Sequence, residues 1–215
     1  FDVLQQDPSS HARRGTLTLA FANLDAFARF DPAQPHASRF VHTDMNRLWG
    51  GMPWRTDGTT TGPEHRRVLE LLPHVEAADW LLDLHSMHER AAPLLLTGLQ
   101  PRNLLLARAL GNPAHIVVDA GHKDGVRMRD FGRFGQPDAQ APDTRSLLVE
   151  CGFHGDLGSR DVAQDMCARF LAVSGAVPQA QLDQALPGWT RPAAPQQWVL
   201  EVTGPVVARS AAFRF

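Results

Sequence analysis

The sequence predicts an α/β domain, and three observations carry that expectation. Short, near-continuous apolar runs at Trp80–Leu84, His115–Val118 and Ser146–Val149 suit strands covered on both faces. Proline-initiated or amphipathic segments at Pro63–Ala77 and Pro101–Leu110, and a longer one from Ser159, lie before, between and after them. Strands alternating with helices are the pattern of a sheet packed between helical layers. At 215 residues the chain has room for one such domain and a small appendage.

In chain order, Thr16 to Ala22 alternates and is apolar enough to read as a buried strand, entered through Gly15. Asp31 to Gly62 is rich in Pro, Gly, Asp and Thr, and a connection of that length inside a compact domain is usually functional. Pro63 sits at a first-turn position, and Val68, Leu69, Leu71, Leu72 and Val75 follow at helical spacing. Ala92 to Thr97 is a further strand. The segment from Ser159 sets Val162, Met166, Phe170 and Val173 on one side of a helix. Leu186 to Gln196 reads as a linker, and Trp198–Thr203 and Val206–Phe215 as two strands of a β-rich appendage.

Hydrophobic residues at 43% and charged residues at 20% describe an ordinary globular chain rather than a disordered one. A net charge of −2 with scattered Arg, Asp and Glu lacks the basic stripe of a nucleic-acid binder. No apolar run approaches the roughly 18 to 20 residues needed to cross a bilayer, so the default expectation is a cytoplasmic protein without membrane or nucleic-acid partners. Cys151 and Cys167 are too few for a disulfide framework, and neither has a CxxC partner.

His85 directly follows Leu81–Leu84, near the carboxyl end of a strand, where α/β sheets place their ligand sites. Spacing alone leaves open whether it binds a ligand or is a hydrogen-bonded structural histidine. His88 reads as solvent-facing. Glu150 follows Ser146–Val149, and a carboxylate there is expensive to bury unless paired or used, for instance as a general base. Arg39, Asp44, Asn46 and Arg47 gather within nine positions; the two guanidinium forks and the carboxamide suit a carboxylate or a polarised carbonyl. On its own this cluster reads as a solvated loop with a local Asp–Arg pair. His122 and His154 are weaker candidates for the same rim, and Cys151 reads as a small buried hydrophobe.

Taken together, Arg39-Phe40 with Asp44-Met45-Asn46-Arg47, then Asp83-Leu84-His85, then Leu148-Val149-Glu150-Cys151-Gly152, resemble the aspartoacylase and succinylglutamate desuccinylase family over roughly residues 15 to 175. The resemblance implies a zinc-carboxypeptidase-like fold with a central mixed sheet flanked by helices. It divides the chain into a catalytic domain over 1–178, a linker over 179–196, and the start of a β-rich C-terminal domain over 197–215. It implies Zn2+ held by His85 together with a His and a Glu of an early HxxE motif. No such motif precedes Thr16, so the chain is expected to be cut short at both ends.

By the same resemblance Glu150 is the general base and Arg39 the arginine that polarises the scissile carbonyl. Asn46 and Arg47 hold the substrate carboxylate, and Asp44 orients their loop. The implied reaction is deacylation of an N-acyl amino acid or related carboxylate-bearing amide by a metal-activated water. A non-catalytic small-molecule-binding relative without the HxxE motif and a carboxypeptidase-like peptidase are the alternatives. Acyl specificity and homo-oligomer formation are left open.

Overall fold

The computed structural model describes residues 15–34, 37–50 and 62–204. Its centre is a five-stranded mixed sheet of β1 (Trp80–Met87), β2 (Leu94–Leu96), β3 (His115–Val118), β4 (Arg145–Phe153) and β5 (Trp198–Glu201), in the order β1-β4-β2-β3-β5. β4 runs parallel to β1 and antiparallel to β2, while β3 is parallel to both β2 and β5. The helices are α1 (Leu24–Phe27), α2 (Pro63–Ala77), α3 (Pro101–Leu110), α4 (Gly158–Val173) and α5 (Gln179–Ala185). The expected mixed sheet flanked by helices is the observed architecture.

Alternation along the strands divides the sheet into two faces. Leu147, Val149 and Cys151 of β4 join Leu95 and Ile116 on one face, where Leu106, Leu110 and Met166 of α3 and α4 close over them. All of these are essentially inaccessible to water, and each large aliphatic among them contributes roughly 1.5–3 kcal/mol of burial free energy. On the other face α2 packs Val68, Leu71, Leu72 and Val75 against Met45, Trp49, Phe134 and Leu81. That second layer stops short of the β1 and β4 residues Asp83, His85, Leu148 and Glu150, which are left facing a cleft.

Three expectations need correction. Thr16 to Phe21 forms no strand and is exposed, with Phe21 77% accessible. Its alternation is that of a strand, but among the described residues no neighbouring strand completes a ladder for it; instead the Arg67 guanidinium of α2 donates to the Phe21 and Ala22 carbonyls. β4 does not end at Val149 but continues to Phe153, because β1 pairs beyond the apolar run, with His85 opposite Glu150 and Met87 opposite Phe153. Gly152 therefore lies inside the strand, at φ +124°, beside the register shift between His85 and Met87. Finally, β3 runs antiparallel to β1 and β4, so its carboxyl end does not share their rim. Trp198–Glu201 adds to β3 at the edge of this same sheet, and Val206–Phe215 lies outside the described residues.

One buried cation organises the approach to β4. Arg102, 2% exposed, donates to the carbonyls of Arg133, Phe134, Gln136 and Thr144 and to the Asp138 carboxylate at 2.7 Å. Arg102→Leu leaves four carbonyls without their donor and is expected to cost about 3 kcal/mol, the lower end for breaking a buried pair, since Asp138 is partly exposed. Urea unfolding measures this. A loss below about 1 kcal/mol would show that water replaces the guanidinium there.

Candidate active-site cleft

A cleft of about 710 Å³ opens over the sheet face left uncovered by α2. It gathers Arg39, Asp44, Asn46 and Arg47 from the long loop, His85 from β1 and Glu150 from β4. All six predicted site residues thus share one cavity. His88, His122 and His154 lie on its lining as well. His122 reaches it through the loop after β3 rather than from a shared strand end.

The β1–β4 register sets His85 directly beside Glu150, on neighbouring strands about 4.8 Å apart at the backbone. His85 Nε2 lies 3.0 Å from Oδ2 of Asp83, two residues earlier on the same face. When Asp83 accepts the Nε2 proton, the neutral ring keeps its lone pair on Nδ1. Burial disfavours a charged imidazole, but Asp83 and then Glu150 outweigh it, so the His85 pKa lies above its ordinary value. Asp83 is a functional candidate that the sequence reading missed; its i, i+2 spacing to His85 on a strand was the available signal.

Glu150 is half-buried and its Oε2 is buried with no hydrogen-bond partner among the described residues. Burial therefore pushes its pKa above the usual carboxylate range, against the opposite pull of His85 and Arg39. A polar atom left in this condition is costly, by about 1–3 kcal/mol, unless something else in the cleft uses it.

The loop opposite is built around Asp44. Its Oδ1 caps a 3-10 turn over Met45–Arg47 by accepting from Asn46 N at 3.0 Å. Its Oδ2 takes Arg39 at 3.0 Å and lies 3.6 Å from Arg47. One carboxylate thus holds both arginines by the same wall. Arg47 is further fixed by Asp124 at 3.1 Å, and the backbone at Gly125 presses so close that a Cβ there would lie 2.5 Å from the Arg47 carbonyl oxygen. Arg127 also lines the cleft and was missed by the sequence reading; it is buried and paired with Asp119 at 2.7 Å. The His122 pKa is lowered, by burial first and then by the charges of Arg127 and Arg47, against the opposite pull of Asp124 and Asp119.

Ser86 and His154 share a 2.7 Å hydrogen bond at the rim. Cys151 is buried on the other face, and burial pushes its thiol up to about 12, which leaves no useful thiolate at neutral pH. A smaller cavity of about 200 Å³ adjoins through His122. There Arg129 is already matched by Asp119 and Asp130, so it offers an incoming anion less than the loop wall does.

The family model for the succinylglutamate desuccinylase/aspartoacylase catalytic domain matches residues 1–165. The chain belongs to this family. Among solved structures it is similar to the product-bound ectoine utilization protein EutE from Ruegeria pomeroyi, at 14% identity and TM-score 0.54, over 86% of this chain and 50% of that one. It is also similar to the succinylglutamate desuccinylase from Chromobacterium violaceum, at 18% identity and TM-score 0.49, over 89% of this chain and 59% of that one. The chain thus spans about half the length of the structures it matches. No curated protein matches it. The likeness to EutE is one of fold.

For the zinc that the resemblance implies, the described residues supply His85, with Glu150 beside it in the role of general base rather than ligand. Among them no group of three or more His, Cys, Asp or Glu side chains is placed to hold a metal ion. Since a catalytic zinc takes three protein ligands, the described residues do not make that site by themselves. Among them, too, no helix is long and apolar enough to cross a membrane.

Proposed function

We propose that this chain carries the substrate-binding and proton-transfer face of an amidohydrolase that deacylates N-acyl amino acids or related carboxylate-bearing amides. The observation that carries the proposal is Glu150, whose buried Oε2 has no hydrogen-bond partner among the described residues, in a cleft that Arg39, Asn46 and Arg47 also line. A general base, an oxyanion stabiliser and a carboxylate clamp are the three functions that hydrolysis of such an amide requires.

In this reading Asn46 and Arg47 hold the substrate carboxylate, Arg47 doing so from a position preset by Asp44 and Asp124. Pre-orientation reduces the entropy lost on binding. Water adds to the amide carbonyl carbon and its proton passes to Glu150, whose raised pKa makes it a better base than an exposed carboxylate. The oxygen that becomes negative is taken by the Arg39 guanidinium. Glu150 then returns the proton to the nitrogen as the C–N bond breaks, giving a free carboxylate and an amine.

Zinc is part of the proposal as an expectation of the resemblance, with His85 as one ligand and the Asp83 contact fixing its ring. When bound, such an ion lowers the pKa of a water and polarises the carbonyl. Cytoplasmic location and a small-molecule partner belong to the same proposal.

The test is release of free amine from a panel of N-acetyl and N-succinyl amino acids, assayed in the presence of zinc against their methyl esters and against dipeptides. We expect turnover of an N-acyl amino acid and at least tenfold lower kcat/KM for its ester. Equal rates on acid and ester would remove Asn46 and Arg47 from their roles. Turnover of dipeptides alone would replace the deacylase by a peptidase.

A further inference from the structure

Glu64, in the first turn of α2, is completely buried, an unusual place for a carboxylate. It is not idle there. Its Oε1 accepts from Val41 N at 2.6 Å and from Asn23 Nδ2 at 3.3 Å, and its Oε2 accepts from His42 N at 3.2 Å. Val41 and His42 lie midway between Arg39 and the Asp44–Arg47 turn. Asn23 caps α1 by accepting from Ala26 N, and Asn23, Ala26, Phe27 and Phe30 form a further part of the cleft wall.

The backbone around Glu64 is shaped for the same contact. Gly62, just before α2, has φ +105°, and a Cβ there would lie 2.8 Å from His42 Nδ1. Only a glycine allows this helix start to come so near the loop. Met45 and Trp49 then continue the attachment as buried neighbours of Val68 and Leu72.

We propose that Glu64 is the positioning residue of the cleft: one buried carboxylate ties the α1 wall and the arginine loop to the start of α2 and so sets where Arg39, Asn46 and Arg47 stand. The inference rests on the function proposed above for those three residues. Glu64 itself touches no substrate. A carboxylate serves where an amide cannot, because all three groups it meets are donors and it offers only acceptors.

The experiment follows the full chain and its Glu64→Gln variant by amide hydrogen exchange, by calorimetry with an N-acetyl amino acid, and by kinetics. In the unmodified chain the Val41 and His42 amides are expected to exchange at least tenfold more slowly than open-loop amides, and in Glu64→Gln to lose that protection while the β4 amides keep theirs. The variant is expected to weaken ligand binding and to lower kcat/KM, each at least tenfold.

In the Arg47→Ala background the same change is expected to weaken binding by less than threefold, because the charged half of the carboxylate clamp that it positions is gone and Asn46 alone remains. Equal losses in both backgrounds would overturn the proposal in favour of a general structural role, and so would unprotected Val41 and His42 amides in the unmodified chain. If Glu64→Gln does not fold, that exchange measurement decides alone. Weakened ligand binding in Glu64→Gln with no hydrolysis by any variant would uphold the positioning role and remove the hydrolase reading.

Discussion

Glu150→Gln is expected to lower kcat for an N-acyl amino acid by about 10²–10⁴-fold, the range for a lost general acid–base group, and to leave thermal stability little changed. The two parts follow from the same geometry. Gln cannot accept a proton from water, so turnover is lost whatever else the cleft contains. At the same time the wild-type carboxylate holds a buried oxygen without a hydrogen-bond partner among the described residues, and burial already disfavours its charge. Exchanging it for a neutral amide of the same shape removes the buried charge but leaves a buried polar group and gives up the attraction to His85 and Arg39, so the melting temperature is expected to change little. Steady-state kinetics and a thermal melt on the same preparation check both. A variant that keeps most of its rate removes Glu150 from the chemistry, and one that is inactive and several degrees less stable turns Glu150 into a structural residue.

Arg39→Ala is expected to reduce kcat by about 10²–10³-fold with little change in KM, the signature of a group that acts on charge developing in the transition state. Nearly half of the Arg39 side chain is exposed, and among the described residues Asp44 holds it, so its removal leaves the Asp44 cap on Asn46 and the Asp124 hold on Arg47 in place. Arg47→Ala is expected to show the opposite split. Arg39→Lys restores only part of the rate, since an ammonium lacks the planar fork. If Arg39→Ala raises KM alone, Arg39 is a second carboxylate ligand and the oxyanion is held elsewhere.

Much of the fold was legible in the sequence because it depends on local chemistry. α2 and α3 begin on prolines whose missing N–H costs nothing at a helix start, and α3 ends at Gly111, φ +71°, a left-handed position that suits glycine. β3 coincides with its apolar run, His115–Val118. Thr16–Phe21 was misread because alternation says only that a segment could form half of a ladder, and the other half is supplied from elsewhere or not at all. β4 was cut short for the converse reason: Glu150, Cys151 and Gly152 look unlike a strand, and their pairing with β1 holds them in one.

The candidate site divides along the same line. The resemblance carried by three strings in order is what grouped Arg39, Asp44, Asn46, Arg47, His85 and Glu150 as a set, since the loop cluster on its own reads as a solvated Asp–Arg pair. What only the tertiary structure decided is their arrangement: that His85 of β1 and Glu150 of β4, far apart in the chain, are paired on parallel neighbouring strands with their side chains on one face. It also decided that Asp83, Arg127 and Glu64 belong with them. Strand register and the meeting of a buried carboxylate with backbone amides some 22 positions away arise from long-range pairing, for which a linear pattern of side chains carries no local signal.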